Sequence, residues 1–263
     1  MTLFGVQVTP LICALVVCTL IALILIAIEV GYRVGVRRWA GVDKSARLLN
    51  STMEASVFGL MGLLVAFIFY GAGARFDARR ALTVQEANAI GTAYLRIDLL
   101  PSETQPQLRE EFREYLRSRI AVFQKVPEFH AMQTELVRSS ALQSNIWTHA
   151  VSAATRSGPA TQTLVLSAIN EVIDITTAQN IAMITHPPAA VCVMLLATLL
   201  VASALAGYSM AALGAHDWIA IVVYAFVLSI AVYVIFDYEY PRIGLIRVDS
   251  VDQALFDTLA RMK

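Results

Sequence analysis

Long apolar runs alternate along the chain with charged stretches. Met1 to Ile28, Ala55 to Ala74, Pro187 to Ala215 and Trp218 to Phe236 contain no Asp, Glu, Lys, Arg or His. A hydrocarbon core about 30 Å thick needs roughly 20 helical residues at ~1.5 Å each. Each run is of that order. Backbone in lipid must satisfy its own polar groups, so continuous rather than alternating apolar sequence predicts helices. Four spans are expected, at 8–30, 53–74, 188–208 and 217–237. The first reads as a retained helix and not a signal peptide. No basic segment precedes it, it is too long, and Glu29, Gly31 and Tyr32 form no small-residue cleavage site.

Arg75 to His186 carries most of the charge, with eleven Arg or Lys and eleven Asp or Glu. Its periodicity is helical. Ala87, Ile90, Tyr94 and Ile97 form one stripe, which Pro101 should stop. Leu108, Phe112, Leu116, Ile120 and Phe123 form a second, with Arg109, Glu110, Arg113, Glu114 and Arg117 opposite and Pro127 at its end. Phe129, Met132, Leu136, Ile146 and Trp147 continue a weaker pattern to the Ser157-Gly158-Pro159 break. Leu164, Ala168, Val172 and Ile175 predict a fourth helix running toward His186-Pro187-Pro188. Asn-Gly hairpins and sustained alternation are missing, so strands are not expected. The fold class is therefore an all-α membrane protein with four transmembrane helices and a helical bundle inserted between spans 2 and 3. Residues 1–74 hold spans 1 and 2 with a basic connecting loop, 75–186 the bundle, 187–237 spans 3 and 4, and 238–263 a polar tail. Two bundle helices are expected to extend directly from spans 2 and 3.

Composition narrows the function. Of 263 residues, 57% are hydrophobic and only 15% charged, against about 25% charged in soluble domains. Mean hydropathy is +0.64. This excludes ordinary soluble, disordered and disulfide-rich secreted proteins. Twenty Lys and Arg balance twenty Asp and Glu, so nothing supports nucleic-acid binding. Cys13, Cys18 and Cys192 fall inside spans as small apolar side chains, without metal-ligand spacing. His130, His149, His186 and His216 are scattered. The sequence holds no HExxH, P-loop, CxxC or G-x-S-x-G motif, so neither an enzyme nor a cofactor is expected.

Span 2 is the candidate pore helix. Leu60, Leu64, Phe67 and Gly71 share a face at steps of four, three and four, although lipid contact explains a Leu/Phe face equally well. Gly59, Gly62 and the Gly71-Ala72-Gly73 segment admit close helix packing or a narrow point in a pore. In the bundle, Asn170, Glu171 and Asp174 sit among apolar stripe-mates, which suggests a polar patch near the core. Glu86 and Asn88 occupy a comparable place. These groups either line a hydrated vestibule or bind a cation, or they pair with Arg79, Arg80 or Arg96. Glu29 and Glu54 flank spans 1 and 2 and are expected to be solvated. Mid-span charge is missing, which argues against a proton-driven motor or an acidic-residue transporter. A channel with a hydrophobic constriction survives, because such pores gate by dewetting.

Gly62-Leu-Leu-Val-Ala-Phe67, Arg75-Phe-Asp-Ala-Arg-Arg80 and Val84-Gln-Glu-Ala-Asn-Ala-Ile-Gly-Thr-Ala-Tyr-Leu-Arg96 together resemble the bacterial bestrophin-like domain family, whose function is unassigned. Ile169-Asn-Glu-Val-Ile-Asp174 and Tyr240-Pro-Arg-Ile-Gly-Leu-Ile-Arg-Val248 are similar to its other blocks, so the resemblance covers roughly residues 50 to 250. It implies kinship with bestrophins, pentameric anion or cation channels with four membrane helices per subunit and a cytosolic helical domain. By that resemblance, span 2 lines a hydrophobic neck at Leu64 and Phe67. Asp237, Glu239 and the tail from Pro241 lie against the bundle. The partners are the lipid bilayer, further copies of the chain and ions, in the bacterial inner membrane. A calcium clasp is not implied, since Asp249 and Asp252 are spaced among apolar residues. Charge bias leaves sidedness open. Arg33, Arg37, Arg38, Lys44 and Arg47 oppose Arg75, Arg79, Arg80, Arg242 and Arg247, five against five. Only the resemblance puts the bundle inside. Two function classes stand: a homo-oligomeric channel, or a non-conducting sensor or scaffold whose bundle binds a ligand or partner.

Overall fold

A computed structural model describes residues 2–3, 6–39, 44–126, 128–214, 216–242, 244–246 and 248–262; side chains are described outside 1–12, 40–51, 127, 129, 215, 243, 247, 249, 250 and 263. Among the described residues eight α-helices follow in chain order: α1 (Val8–Trp39), α2 (Lys44–Arg96), α3 (Gln105–Gln124), α4 (Phe129–Ala154), α5 (Pro159–Ile184), α6 (Ala189–Leu213), α7 (Trp218–Glu239) and α8 (Asp249–Arg261). A 3-10 turn, Ile97–Leu99, follows α2. Thr2–Leu3 pairs antiparallel with Val6–Gln7, the only extended pairing among the described residues. The protein is an all-α membrane protein. Four candidate membrane spans lie within Cys13–Trp39, Thr52–Leu99, Pro159–Leu213 and Trp218–Glu239. The predicted stop at Pro127, the side chains of Lys44 and Arg47 from the basic loop, Arg247, and the Asp249 side chain lie outside the described residues.

The chain divides into two compact units. The first joins Met1–Ala74 with His186–Tyr240. Its core is apolar: Ile24 and Ile28 of α1, Met61 of α2, Leu199 and Ala202 of α6, and Ile221, Ala225 and Val232 of α7. Lipid tails are as apolar as Leu, so helices here associate through close packing. The α1–α6 crossing depends on backbone approach. A Cβ on Gly31 would lie 1.8 Å from the Ala204 carbonyl oxygen, and one on Gly207 would lie 1.9 Å from that of Ile28. Gly214 ends α6 at φ +68°, a conformation that glycine adopts without a Cβ clash. Three residues later the Asp217 carboxylate caps α7 by accepting the Ile219 and Ala220 amides at 3.0 and 3.2 Å.

The second unit joins Arg75–Thr185 with Pro241–Lys263. The expected stripes of α2 and α3, Ala87 to Ile97 and Leu108 to Phe123, form its buried core. The α5 stripe differs by one position. Val165, Ala168, Ile169 and Val172 are buried, whereas Leu164 is exposed. Leu164, Val165 and Leu166 are all apolar, so periodicity alone did not resolve which edge turns inward. The continuation of span 3 into the bundle also differs from expectation. α5 and α6 are separate helices, because Pro187 and Pro188 supply no backbone donor and disfavour helix in the residue before them. Arg79 donates to the carbonyls freed at the end of α5, at 3.0 Å to Ala182 and 2.8 Å to Thr185. In the tail, Leu255 and Met262 enter the core, and Arg242 holds Asp252 through two bonds of 2.6 and 2.9 Å.

At the α3–α4 turn, Lys125 donates to Glu135 at 2.6 Å and the Ser118 hydroxyl donates to the other carboxylate oxygen at 3.1 Å. The Lys125 bond holds the Glu135 carboxyl below its ordinary range against the opposing effect of burial.

Two outcomes are expected. Gly31→Leu or Gly207→Val forces α1 from α6 and destabilises the fold by an amount at or above the upper end of the roughly 1–3 kcal/mol usual for overpacking, read as a lower melting temperature in detergent. Glu135→Gln destabilises at neutral pH. Its effect fades as pH falls from the unfolded carboxylate value, about 4.3, through the depressed folded value, since only the ionised group contributes. Denaturation midpoints of wild type and variant that converge in acid verify this.

Candidate functional site

Helix α2 runs without a break for 53 residues. In the first unit it buries Met61 and Ala72, with Val57, Phe58, Val65 and Ile68 half-buried beside them. The opposite face is uncovered. Leu60, Leu63, Phe67 and Tyr70 follow at steps of three and four, with Phe67 65% and Tyr70 76% exposed. Only 11% of the most apolar stretch of this span is buried, against 22%, 22% and 33% for the others. A Cβ at Gly59, Gly62 or Gly73 would meet nothing within 4 Å, so these glycines do not serve close packing within the chain. Among the four pore candidates, Leu60 and Phe67 lie on the exposed face, while Leu64 and Gly71 sit half-buried on its edge. Sequence reasoning passed over Leu63, which lies nearer the middle of the uncovered arc. Its signal was the three-residue step from Leu60 and four-residue step to Phe67.

Glu54 corrects an expectation. It is buried and accepts a hydrogen bond from the Ser209 hydroxyl of α6 instead of being solvated. Ser209 supplies the polar partner that a carboxylate near an apolar core requires. At the far end of α7, Asp237 and Glu239 are buried, and His186 approaches Glu239 at 3.4 Å while stacking on Tyr240 at 4.8 Å.

The bundle's polar centre differs from the predicted one. Asn170, Glu171 and Asp174 are not buried on α5, and Asn170 donates to Asp174 at 2.8 Å. Asn88 is exposed as well. The buried face of α5 instead carries Thr176 and Gln179, one to two turns further on. Of the five bundle candidates only Glu86 is buried, and its partner is none of Arg79, Arg80 or Arg96. Arg119 of α3 donates to its two oxygens at 2.5 and 3.3 Å, with both side chains at 0% exposure. Arg96 instead donates to the Leu164 carbonyl at 2.6 Å. Arg119 could have been found by register: it lies seven residues after Phe112 and four before Phe123, on the buried face.

Around this pair the Tyr115 hydroxyl donates to Thr176 at 2.7 Å, since the Thr176 proton goes to the Val172 carbonyl. Gln143 of α4 donates to Tyr115 at 3.1 Å, Gln179 to Thr83 at 3.0 Å, and Arg119 to Asn180 at 3.2 Å. Helices α3, α4 and α5 are thereby tied to α2. Burial pushes the Tyr115 phenol up, with the nearby Glu86 carboxylate adding to the effect. Burial also works against the Arg119 charge, but Glu86 and Tyr115 more than offset it, so the guanidinium is raised. Neither group is poised to exchange protons near neutral pH. The Glu86–Arg119 pair cross-links α2 and α3. Groups of three or more metal-ligating side chains are missing among the described residues.

Glu86→Gln or Arg119→Met alone should cost about 3–5 kcal/mol by stranding a buried charge, whereas Glu86→Leu combined with Arg119→Met should be close to neutral. Chemical denaturation of the full chain in detergent separates the two cases.

Comparison with known proteins bears on this architecture. The Bestrophin-like domain matches residues 12–252. The chain is similar in structure to a mutated bacterial bestrophin homologue from Klebsiella pneumoniae, with a TM-score of 0.56 over 94% of this chain and 99% of that one, at 13% sequence identity. At that identity the likeness is one of fold. No curated protein matches the chain.

Proposed function

The chain belongs to the bestrophin-like family, and from that premise we propose that it forms a homo-oligomeric ion channel of the bacterial inner membrane, with α2 lining a hydrophobic neck. The observation that carries this reading is the uncovered apolar face of α2, from Leu60 through Phe67 to Tyr70. Among the described residues the clustered core of the first unit is apolar, which gives ions little wet path between the helices of one chain. A conduit has to lie between copies. The least covered span is the natural element to surround it, because copies and conduit together would cover what the chain leaves open. A face built from Leu and Phe suits a constriction that controls flow by dewetting. Pentameric assembly and a cytosolic bundle belong to the same proposal, supported by the family resemblance. The extramembrane helices form a scaffold around α2 and perform no catalysis.

Ion flux from proteoliposomes tests the reading. Wild-type protein should conduct, Phe67→Trp or Leu64→Trp should change flux severalfold by refilling the constriction, and Phe67→Ala should increase it. Unchanged flux in both Trp variants removes α2 from the neck. If well-incorporated wild-type protein passes no ions, the sensor or scaffold function replaces the channel.

A further inference from the structure

We infer that the end of α1 binds an anionic phospholipid, with the headgroup phosphate at Arg37 and Arg38 and an acyl chain along the turns that precede them. Leu23, Ile26, Val30 and Val34 are exposed. They follow at steps of three and four, so they share one face of the helix. From Leu23 to Val34 this stripe rises about 16 Å, close to half of a hydrocarbon core ~30 Å thick. An acyl chain in one leaflet spans that distance. Arg37 follows Val34 by three residues and Arg38 by four, in the last turn of α1, and both are exposed. A phospholipid has the same order of parts, an apolar chain and then an anion.

Aromatic rings mark the depth at which these arginines lie. Trp39 donates its indole N–H to the Tyr208 carbonyl at 3.2 Å, and the two rings are 5.2 Å apart. Tyr32 meets the His216 ring at 4.3 Å, and His216 meets Trp218 at 4.6 Å. The end of α1, the end of α6 and the start of α7 thus bring Trp and Tyr to one level of the membrane unit. Such rings concentrate at the headgroup level, where lipid phosphates are found. Charge agrees with this placement. The segment from Gly31 to Ser51 holds five Arg or Lys against one Asp. Glu29 pairs with Arg33 at 2.7 Å. Among the described residues neither Arg37 nor Arg38 has an ion-pair or hydrogen-bond partner. Each keeps a planar fork of donors that suits a phosphate. Both also complement the carbonyl end of the α1 dipole, a role that draws no distinction between lipids.

Native mass spectrometry of the purified full chain in detergent, titrated with phosphatidylglycerol or phosphatidylcholine, tests the assignment. Wild type should retain phosphatidylglycerol at least about fivefold more tightly, the factor that one basic side chain contributes at an anionic surface. Arg37→Gln combined with Arg38→Gln should bring the two lipids to nearly equal retention. Arg37→Lys combined with Arg38→Lys should keep most of the preference. Arg156→Gln, at an exposed arginine of the bundle, should leave it unchanged. Excess glycerol phosphate should not displace the lipid, because it brings no acyl chain to the stripe. Arg37 and Arg38 are exposed, so their variants should elute and melt as wild type does. Equal retention of the two lipids by wild type, or a preference that survives the double Gln variant, overturns the assignment. Displacement by glycerol phosphate replaces the lipid with a soluble phosphate as occupant and overturns it as well. Ion flux is not read in this experiment, so its outcomes leave the channel reading where flux puts it.

Discussion

A charge in a protein interior needs a partner, and Arg119 has one place to find it. Its planar fork meets both oxygens of Glu86, a geometry available only when α2 presents residue 86 toward α3. The desolvation of both ions makes the pair a poor source of net stability. What it does supply is rotational register for α2 within the bundle. Ala87, Ile90 and Tyr94 then turn inward with Glu86, and Asp77, Asn88 and Thr92 turn outward. The surface that the helix leaves open thus follows from a bond on its other side. Tyr115, Thr176, Gln179 and Asn180 extend the constraint, because each occupies a polar valence that would otherwise be stranded near the pair.

The membrane unit is organised by a different rule. Between α1 and α6 the main chains nearly touch, and Gly31 and Gly207 permit it. Gly59, Gly62 and Gly73 of α2 look alike in sequence but face empty space within the chain. A glycine in a helix interior costs roughly 1 kcal/mol relative to Ala. At Gly31 that cost is offset by packing inside the chain. On α2 no internal contact offsets it, which directs attention to surfaces formed outside a single chain.

These differences explain how much could be read from residues alone. Apolar runs longer than a bilayer core located all four spans, and strong stripes such as Leu108 to Phe123 located the core face of α3. Such signals are local and redundant. The α5 face was misread by one position because Leu164, Val165 and Leu166 offer apolar side chains in succession. Asn170, Glu171 and Asp174 were placed near the core for the same reason: once the stripe shifts by one residue, the polar group shifts outward with it. Pairing was hardest of all. Glu86 was singled out, but its choice of Arg119 over Arg79, Arg80 and Arg96 depends on where α3 and α5 lie. Those three arginines do not lack partners either, since Arg79 and Arg96 bond to main-chain carbonyls of α5 and its C-terminal cap, acceptors that exist only once the fold does.

The proposed conduction would add a demand that folding does not make. A neck that stays dry when closed has to be apolar, and an apolar wall cannot tell cation from anion. Both properties can reside on one helix only if it changes character along its length. α2 does so: charge is missing from Ala55 to Ala74, and Arg75, Asp77, Arg79 and Arg80 follow at once. The three arginines are each drawn toward other groups of the chain. What is left facing outward is mixed, since Asp77 and Arg80 are both exposed and lie 3.7 Å apart. Net charge counted along the chain therefore misstates the charge at the surface of the helix, because the fold draws Arg79 onto main-chain carbonyls and leaves Arg80 beside Asp77.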